Sequence, residues 1–465
     1  MKGRGISAAK STKAAKTMKP SGVAWIGDIP EGWEVRKLKS ALIANDGGVW
    51  GEDPTGDGSD VIVLRSTEQS IEGHLMIDAP AIRHIDKIDE EKFLLQEGDL
   101  IITKSSGSQE HIGKTSIIDR TTADMKCCYS NFLQRLRVYG VPQYFWYVMN
   151  SQMVKRQFDY LVTTTTGLKN LNASIIGNVQ LAIPPLAEQK AIAAYLDEKC
   201  AAIDAAVAEA KKGIEEYKAW KKSLIFEMVT GKNRVDDLAA KNAKVAKTKP
   251  SGIPWIGDIP EGWRVARLKN CAKVFGRIGF RGYTTADIVD EGEGALSLSP
   301  SNLKDIRMDY TKRTYISWAK YKESPEIQVR KGDIVFVKTG SSYGKSCIVD
   351  ELFCEATLNP QLVVLKDFSC NSRFLNYFLQ TPVIKYQVEL IVSGGTIPTM
   401  SQEKMGLWKV VLPPIPEQQA IADYLDEKCA AIDALVAEKE ALIADFEAYK
   451  KSLIYETVTG KREVA

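Results

Sequence analysis

The chain has 465 residues, a net charge of +3, a pI near 8.2 and 44% hydrophobic residues. At roughly 100–200 residues per domain, that length allows several domains, each with its own core. The charge is compatible with nucleic acid without arguing for it, since many soluble enzymes share it, but no run approaches the roughly 18 apolar residues of a membrane helix and no signal-peptide core opens the chain. A cytoplasmic protein is expected.

Residues 1–19 carry Lys2, Arg4, Lys10, Lys13, Lys16 and Lys19 and no acid. This reads as a flexible basic tail, of the kind that can add phosphate contacts. Residues 19–39 hold turn signals around Trp25 and Trp33 and lead into a strand near residues 33–38. The block returns at 249–269 with 16 of 21 positions identical, both tryptophans included. A repeated, aromatic-pinned loop is expected to pack on something that is also repeated.

Two variable regions follow the blocks, at about 40–182 and 270–411. Short apolar runs at 61–64, 100–102, 334–337 and 362–365, bounded by Gly, Ser and Asp, predict strands. Helical spacing predicts helices over 142–160 and 372–390. Each variable region is expected to be a compact α+β domain.

The second repeated element is the longest. Residues 183–232 recur at 412–461 with 33 of 50 positions identical and no gap. Pro184-Pro185 and Pro413-Pro414 introduce each copy, where the first helical amides need no partner. Apolar residues at steps of three and four mark a coiled-coil stripe. In the first copy they are Ile192, Leu196, Ile203, Val207, Ile214, Tyr217, Leu224 and Met228. In the second they are Ile421, Leu425, Ile432, Val436, Ile443, Phe446 and Leu453. Gly213 interrupts the first copy and allows a slight bend. Gly231 and Gly460 sit as C-terminal caps. Two long helices in one chain can pair antiparallel, with a variable domain at each end, and the chain reads as block, variable region, long helix, and then the same again. Its boundaries are a tail at 1–19, domains at 20–183 and 250–412, helices at 184–235 and 413–465, and a linker at 236–249. A two-fold internal repeat imitates a symmetric dimer.

Catalytic motifs are near misses. The segment from Gly340 to Ser346 follows an apolar strand, but only three residues separate its glycines where a phosphate loop needs four. The counterpart from Gly107 to Thr115 has five. A polar loop between two strands is the better reading. Asp197-Glu-Lys and Asp426-Glu-Lys resemble part of a nuclease site but lie mid-helix, where a solvated charged face is expected. The eight cysteines include no Cys-x-x-Cys pair, so zinc is not indicated and free thiols are expected; Cys200 and Cys429 read as small half-buried helix residues. His74, His84 and His111 all lie in the first half, so no histidine site is repeated. No catalytic residue and no metal ligand is assigned.

The Pro-Pro-x-x-Glu-Gln segments at 184–189 and 413–418, the Tyr-Leu-Asp segments after them and the Trp-Ile-Gly-Asp-Ile-Pro-Glu-Gly-Trp blocks resemble the conserved regions of type I restriction–modification specificity subunits. The resemblance covers nearly the whole chain and has the family's order of elements. It implies a DNA-binding subunit that is not itself catalytic. Each recognition domain would read one half of a split, asymmetric double-stranded DNA target, and the antiparallel helix pair would set the gap. The implied partners are two copies of a modification subunit, which uses S-adenosylmethionine to methylate adenine, and restriction subunits, which use ATP and Mg2+. This chain would bind none of these cofactors. The alternative is a coiled-coil scaffold whose globular domains bind protein.

Polar loop residues at corresponding places are the candidate DNA contacts. The first half offers Arg65 and Ser66, then Lys104, Ser105, Ser106, Ser108, Gln109, His111 and Lys114, then Thr164, Thr165, Lys169 and Asn170. The second offers Ser299 and Asn302, then Lys338, Ser341, Ser342, Tyr343 and Lys345, then Ser393, Thr396 and Thr399. Lys104 and Lys338 align at strand ends and are expected to touch phosphate.

Overall fold

The computed structural model describes residues 17–56, 58–161, 170–235, 247–304, 307–391 and 400–464. The basic tail up to residue 16 and most of the linker fall outside these. The chain forms two compact units, one of residues 1–210 with 441–465 and one of residues 211–440. Each unit is therefore a variable domain together with a part of both long helices.

In the first unit an antiparallel sheet runs Leu42–Gly47, Leu133–Val138, Leu100–Thr103, Thr115–Ile117. Leu100–Thr103 is buried at every position, as expected for a short β-branched apolar run inside a sheet. A second sheet orders Ala81–Arg83, Val61–Leu64 and Cys127–Tyr129, the last two parallel. Two helices follow, α1 (Pro142–Asn150) and α2 (Gln152–Leu161). The single helix predicted over 142–160 is thus broken. Ser151 is extended, and both its amide and its hydroxyl donate to the Val148 carbonyl, closing α1. The long helix α3 spans Leu186–Thr230.

The second unit repeats this plan. Its antiparallel sheet runs Lys273–Gly276, Leu362–Lys366, Ile334–Val337, Ser346–Ile348. The predicted helix over 372–390 is again two, α4 (Ser372–Leu379) and α5 (Pro382–Ile391). Thr381 donates to the Phe378 carbonyl, and Pro382, which lacks an amide, starts the next helix. The second long helix, α6, spans Ile415–Val458.

The repeated tryptophan blocks dock on the long helices. Trp33 Nε1 donates to Glu188 at 3.0 Å, and Trp263 Nε1 donates to Glu417 at 3.1 Å. These carboxylates belong to the Pro-Pro-x-x-Glu-Gln segments. The next residue works equally in both units. Gln189 is buried, donates to the Pro184 carbonyl and accepts from the Val141 amide just before α1. Gln418 donates to Pro413 and accepts from the Asn371 amide just before α4. The same blocks receive the far ends of the helices. Gly460 and Gly231 both have φ of +74°, and a Cβ there would meet Pro30 Cδ at 2.3 Å and Pro260 Cδ at 2.5 Å. Only glycine serves at these caps.

Each unit pairs its two helical segments antiparallel. In the first, Ile192, Leu196, Cys200 and Ile203 of α3 share a core with Leu453 and Val458 of α6, and Lys450 bonds Asp204 at 2.6 Å. In the second, Leu224 and Met228 of α3 share a core with Ile421, Leu425 and Ile432 of α6, and Lys221 bonds Asp433 at 2.6 Å. Ile214 is also buried, whereas Val207, Tyr217, Val436, Ile443 and Phe446 are half-buried. A seam between only two helices leaves such positions part-covered. The helix runs on through Gly213, where a Cβ would meet Lys439 Cε at 3.1 Å. The glycine makes room for Lys439, whose ammonium lies 5.8 Å from the Tyr217 ring centre. Among the described residues no helix is long and apolar enough to cross a membrane.

Candidate nucleic-acid interface

The two loops singled out by sequence are hairpins at the same place in the two units. Residues 104–114 join Leu100–Thr103 to Thr115–Ile117, and residues 338–345 join Ile334–Val337 to Ser346–Ile348. Their backbone frames match bond for bond. The Lys104 amide donates to Phe132, and its carbonyl accepts from Leu171. The Lys338 amide donates to Gln361, and its carbonyl accepts from Met400. Gly113 donates to Thr103, and Gly344 donates to Val337. Pinned on both sides, each lysine holds a fixed position at a strand end.

The two ammonium groups share an electrostatic state. Burial pushes the pKa of both Lys104 and Lys338 below the ordinary lysine range. Neither forms an ion pair or a side-chain hydrogen bond among the described residues. A partly desolvated, unpaired cation gains more from an anion than a fully solvated one does. In the first unit the ammonium lies over Gly47, where a Cβ would stand 2.8 Å from Nζ.

Other candidates have structural roles. Lys114 is 3% exposed, and its ammonium donates to the Ser66 and Gln69 carbonyls at 2.6 Å each. It is a buried tie rather than a surface cation, whereas its counterpart Lys345 is exposed. Asn302 is buried and donates to the Asp309 and Lys312 carbonyls while accepting from the Ser299 amide. Arg65 is bound to buried Glu68 through Nε and Nη2 and to the Ala79 carbonyl. Sequence alone does not distinguish a cation that faces outward from one turned inward to carbonyls.

The remaining candidates cluster on the hairpins. Ser105 donates to Asn170 at 2.8 Å, Ser106 accepts from the Ser108 amide, and Gln109 opens a short turn ending at His111. Ser341 is exposed and Ser342 half-exposed. His111 Nδ1 and Tyr343 Oη are buried without a hydrogen-bond partner among the described residues. Thr164, Thr165, Lys169, Ser393, Thr396 and Thr399 lie outside the described residues.

Three further residues, none of them among the candidate DNA contacts, lie near the lysines. Phe132, 54% exposed, flanks Lys104. Asn359 and Gln361 flank Lys338, with the Gln361 amide donating to Asn359 Oδ1. Phe132 and Gln361 are placed there by the register Leu133↔Thr103 and Leu362↔Val337, which no sequence period reveals. Arg277 is a further buried cation with a structural role. It is 4% exposed and donates to the Leu358 carbonyl, Thr357 Oγ1 and the Arg281 carbonyl.

The mid-helix aspartates lie on a solvated face, as expected, Asp197 exposed and Asp426 half-exposed, and they also accept hydrogen bonds from the variable domains. Asp197 accepts from Gln143 and Tyr147 of α1 at 2.7 Å each. Asp426 accepts from Tyr377 of α4 at 2.8 Å and pairs with Arg373. They tie each long helix to its variable domain. Cys200 and Cys429, beside them, are buried.

The sequence matches the family model of the type I restriction modification DNA specificity domain over residues 30–215 and 284–443. It is 26% identical over 446 residues to the MjaX type I restriction enzyme specificity subunit assigned in Methanocaldococcus jannaschii, covering 94% of this chain and 96% of that one. The MjaVIII specificity subunit of the same organism is 24% identical over 388 residues, with 81% and 82% covered. Among solved structures, a chain from work on complex assembly and conformational transition of the type I R-M system superposes with a TM-score of 0.70 at 15% identity, covering 93% of this chain and 99% of that one. The HsdS subunit from Thermoanaerobacter tengcongensis has a TM-score of 0.51 at 15% identity, with 93% and 98% covered. With the family model spanning most of the chain, the protein belongs to the type I restriction–modification DNA specificity subunits.

Proposed function

We propose that this chain supplies the DNA sequence specificity of a type I restriction–modification complex, with each unit reading one half of a bipartite, asymmetric target. The observation that carries this reading is the pair of matched hairpin frames around Lys104 and Lys338, set among side chains that differ. A conserved frame with an unpaired lysine suits a sequence-independent phosphate contact, and divergent neighbours such as Phe132 and Gln361 suit contacts that differ between half-sites. The chain catalyses nothing by itself. The antiparallel helices set the spacing of the half-sites and dock two modification subunits, which carry S-adenosylmethionine. Restriction subunits carry ATP and Mg2+.

The test is a methylome. The chain is expressed with the modification subunit of its own locus in a methylation-free host, and adenine methylation is read by single-molecule sequencing. A split motif is expected, and exchanging one variable region should change only one half of it. A stable complex that leaves no methylation mark would sink the reading and favour a protein-binding scaffold.

A further inference from the structure

The first unit contains a cavity of about 650 Å³ between α2, the C-terminal turns of α6 and the loop that carries Trp25. Trp25, Gln152, Arg156, Glu447, Lys451 and Tyr455 line it. The second unit shows how the same place can be filled. There Tyr386, the fifth residue of α5, stacks on Trp255 with ring centres 5.5 Å apart and planes 21° apart. Arg156 is the fifth residue of α2, so the first unit has a guanidinium where the second has a ring. Among the described residues, Trp25 has one ring neighbour, Tyr160, edge-on at 5.3 Å. Its indole N–H is buried and has no hydrogen-bond partner among the described residues.

The charge around this space is positive. Arg156 and Lys451 form no ion pair among the described residues. Lys155 stands close enough to Lys451 that burial and that neighbour together lower its pKa, against the opposing pull of Glu72. Glu447 is the one acid in the lining.

We infer that this cavity binds a nucleotide, with its base stacked on Trp25 where the second unit places Tyr386 and its phosphate held by Arg156 and Lys451. A base offers the flat face that the second unit obtains from a tyrosine, and stacking on an aromatic side chain tolerates any base. The guanidinium fork of Arg156 suits phosphate oxygens. Glu447 disfavours a phosphate beside it and suits the amino edge of a base. The nucleotide could be free or the phosphorylated end of a strand, which present the same chemistry.

The experiment is equilibrium dialysis of the full chain with radiolabelled AMP. One site per chain is expected. Arg156→Tyr, which installs the residue of the second unit, should weaken binding at least tenfold, and Lys451→Gln should weaken it severalfold. Because the second unit already accommodates tyrosine there, loss of binding with an unchanged circular dichroism spectrum reports the cavity and not the fold. Inorganic phosphate should compete poorly. A 5′-phosphorylated single-stranded oligonucleotide that competes better than AMP would make a strand end the ligand, and one that competes worse would make it the free nucleotide. Absence of saturable AMP binding at millimolar concentration overturns the inference. So does binding that Arg156→Tyr leaves unchanged, or competition by phosphate as strong as that by AMP.

Discussion

Lys114 and Lys345 each follow the glycine of a hairpin in the same frame, yet one is buried against two carbonyls and the other is exposed. Lys104 and Lys338, at the upstream ends of the same hairpins, remain alike in burial, backbone bonds and lowered pKa. Position in a repeat therefore does not carry a role with it. The residue at the strand end keeps its setting in both units, while the one after the glycine has turned inward in one unit to support the local fold. Equivalence has to be judged by partners as well as by alignment.

The largest effect that would sharpen this contrast is on stability. Lys114→Met leaves two buried carbonyls without their donor and should cost about 2–4 kcal/mol. Lys345→Met should stay within about 0.5 kcal/mol. Urea unfolding of the full chain reads both, and equal losses would break the contrast. Next come the paired lysines. Lys104→Ala and Lys338→Ala should each weaken target DNA binding roughly tenfold and reduce the salt slope by about 1. If one variant alone does so, the two halves do not share a phosphate contact.

A smaller effect concerns pH. In the free protein both ammonium pKa values are lowered by burial, and a bound phosphate would raise them again. Binding then takes up protons in the window between the free and bound pKa values. Affinity should fall as pH rises through that window, and Lys104→Arg/Lys338→Arg should flatten the dependence, because arginine stays charged. Binding isotherms across alkaline pH test this. The smallest effect is at the helix ties. Asp426 has a cationic partner in Arg373 where Asp197 has neutral Gln143. Both ties are part-exposed, so Asp426→Asn should cost about 1 kcal/mol and Asp197→Asn about half as much, read by thermal melts.

Much of the scaffold was legible because it obeys a period. Apolar steps of three and four gave the long helices, and the cap glycines Gly231 and Gly460 have the left-handed backbone expected of them. The tryptophan blocks dock where a second repeated element was expected. What stayed hidden depends on distant parts of the chain. Ser151 and Thr381 end helices through local bonds that apolar spacing does not register. The bonds that Asp197 and Asp426 accept were hidden because the tyrosines that donate them lie about fifty residues upstream. Phe132 and Gln361 stand beside the lysines only through strand register.

The cap at Gly460 has a consequence for the order of folding. The first unit closes its core with Leu453 and Val458 and seats Gly460 against Pro30, so residues 453–460 complete a structure begun before residue 40. The second unit is one continuous stretch, residues 211–440, and has all its parts earlier in synthesis. On the ribosome, where domains fold as units as they emerge, the second unit can be finished first. The unit nearer the N-terminus must hold its sheets ready until the final helix turns arrive. Removing the turns of α6 beyond residue 440 would thus cost the integrity of the first unit rather than of the second.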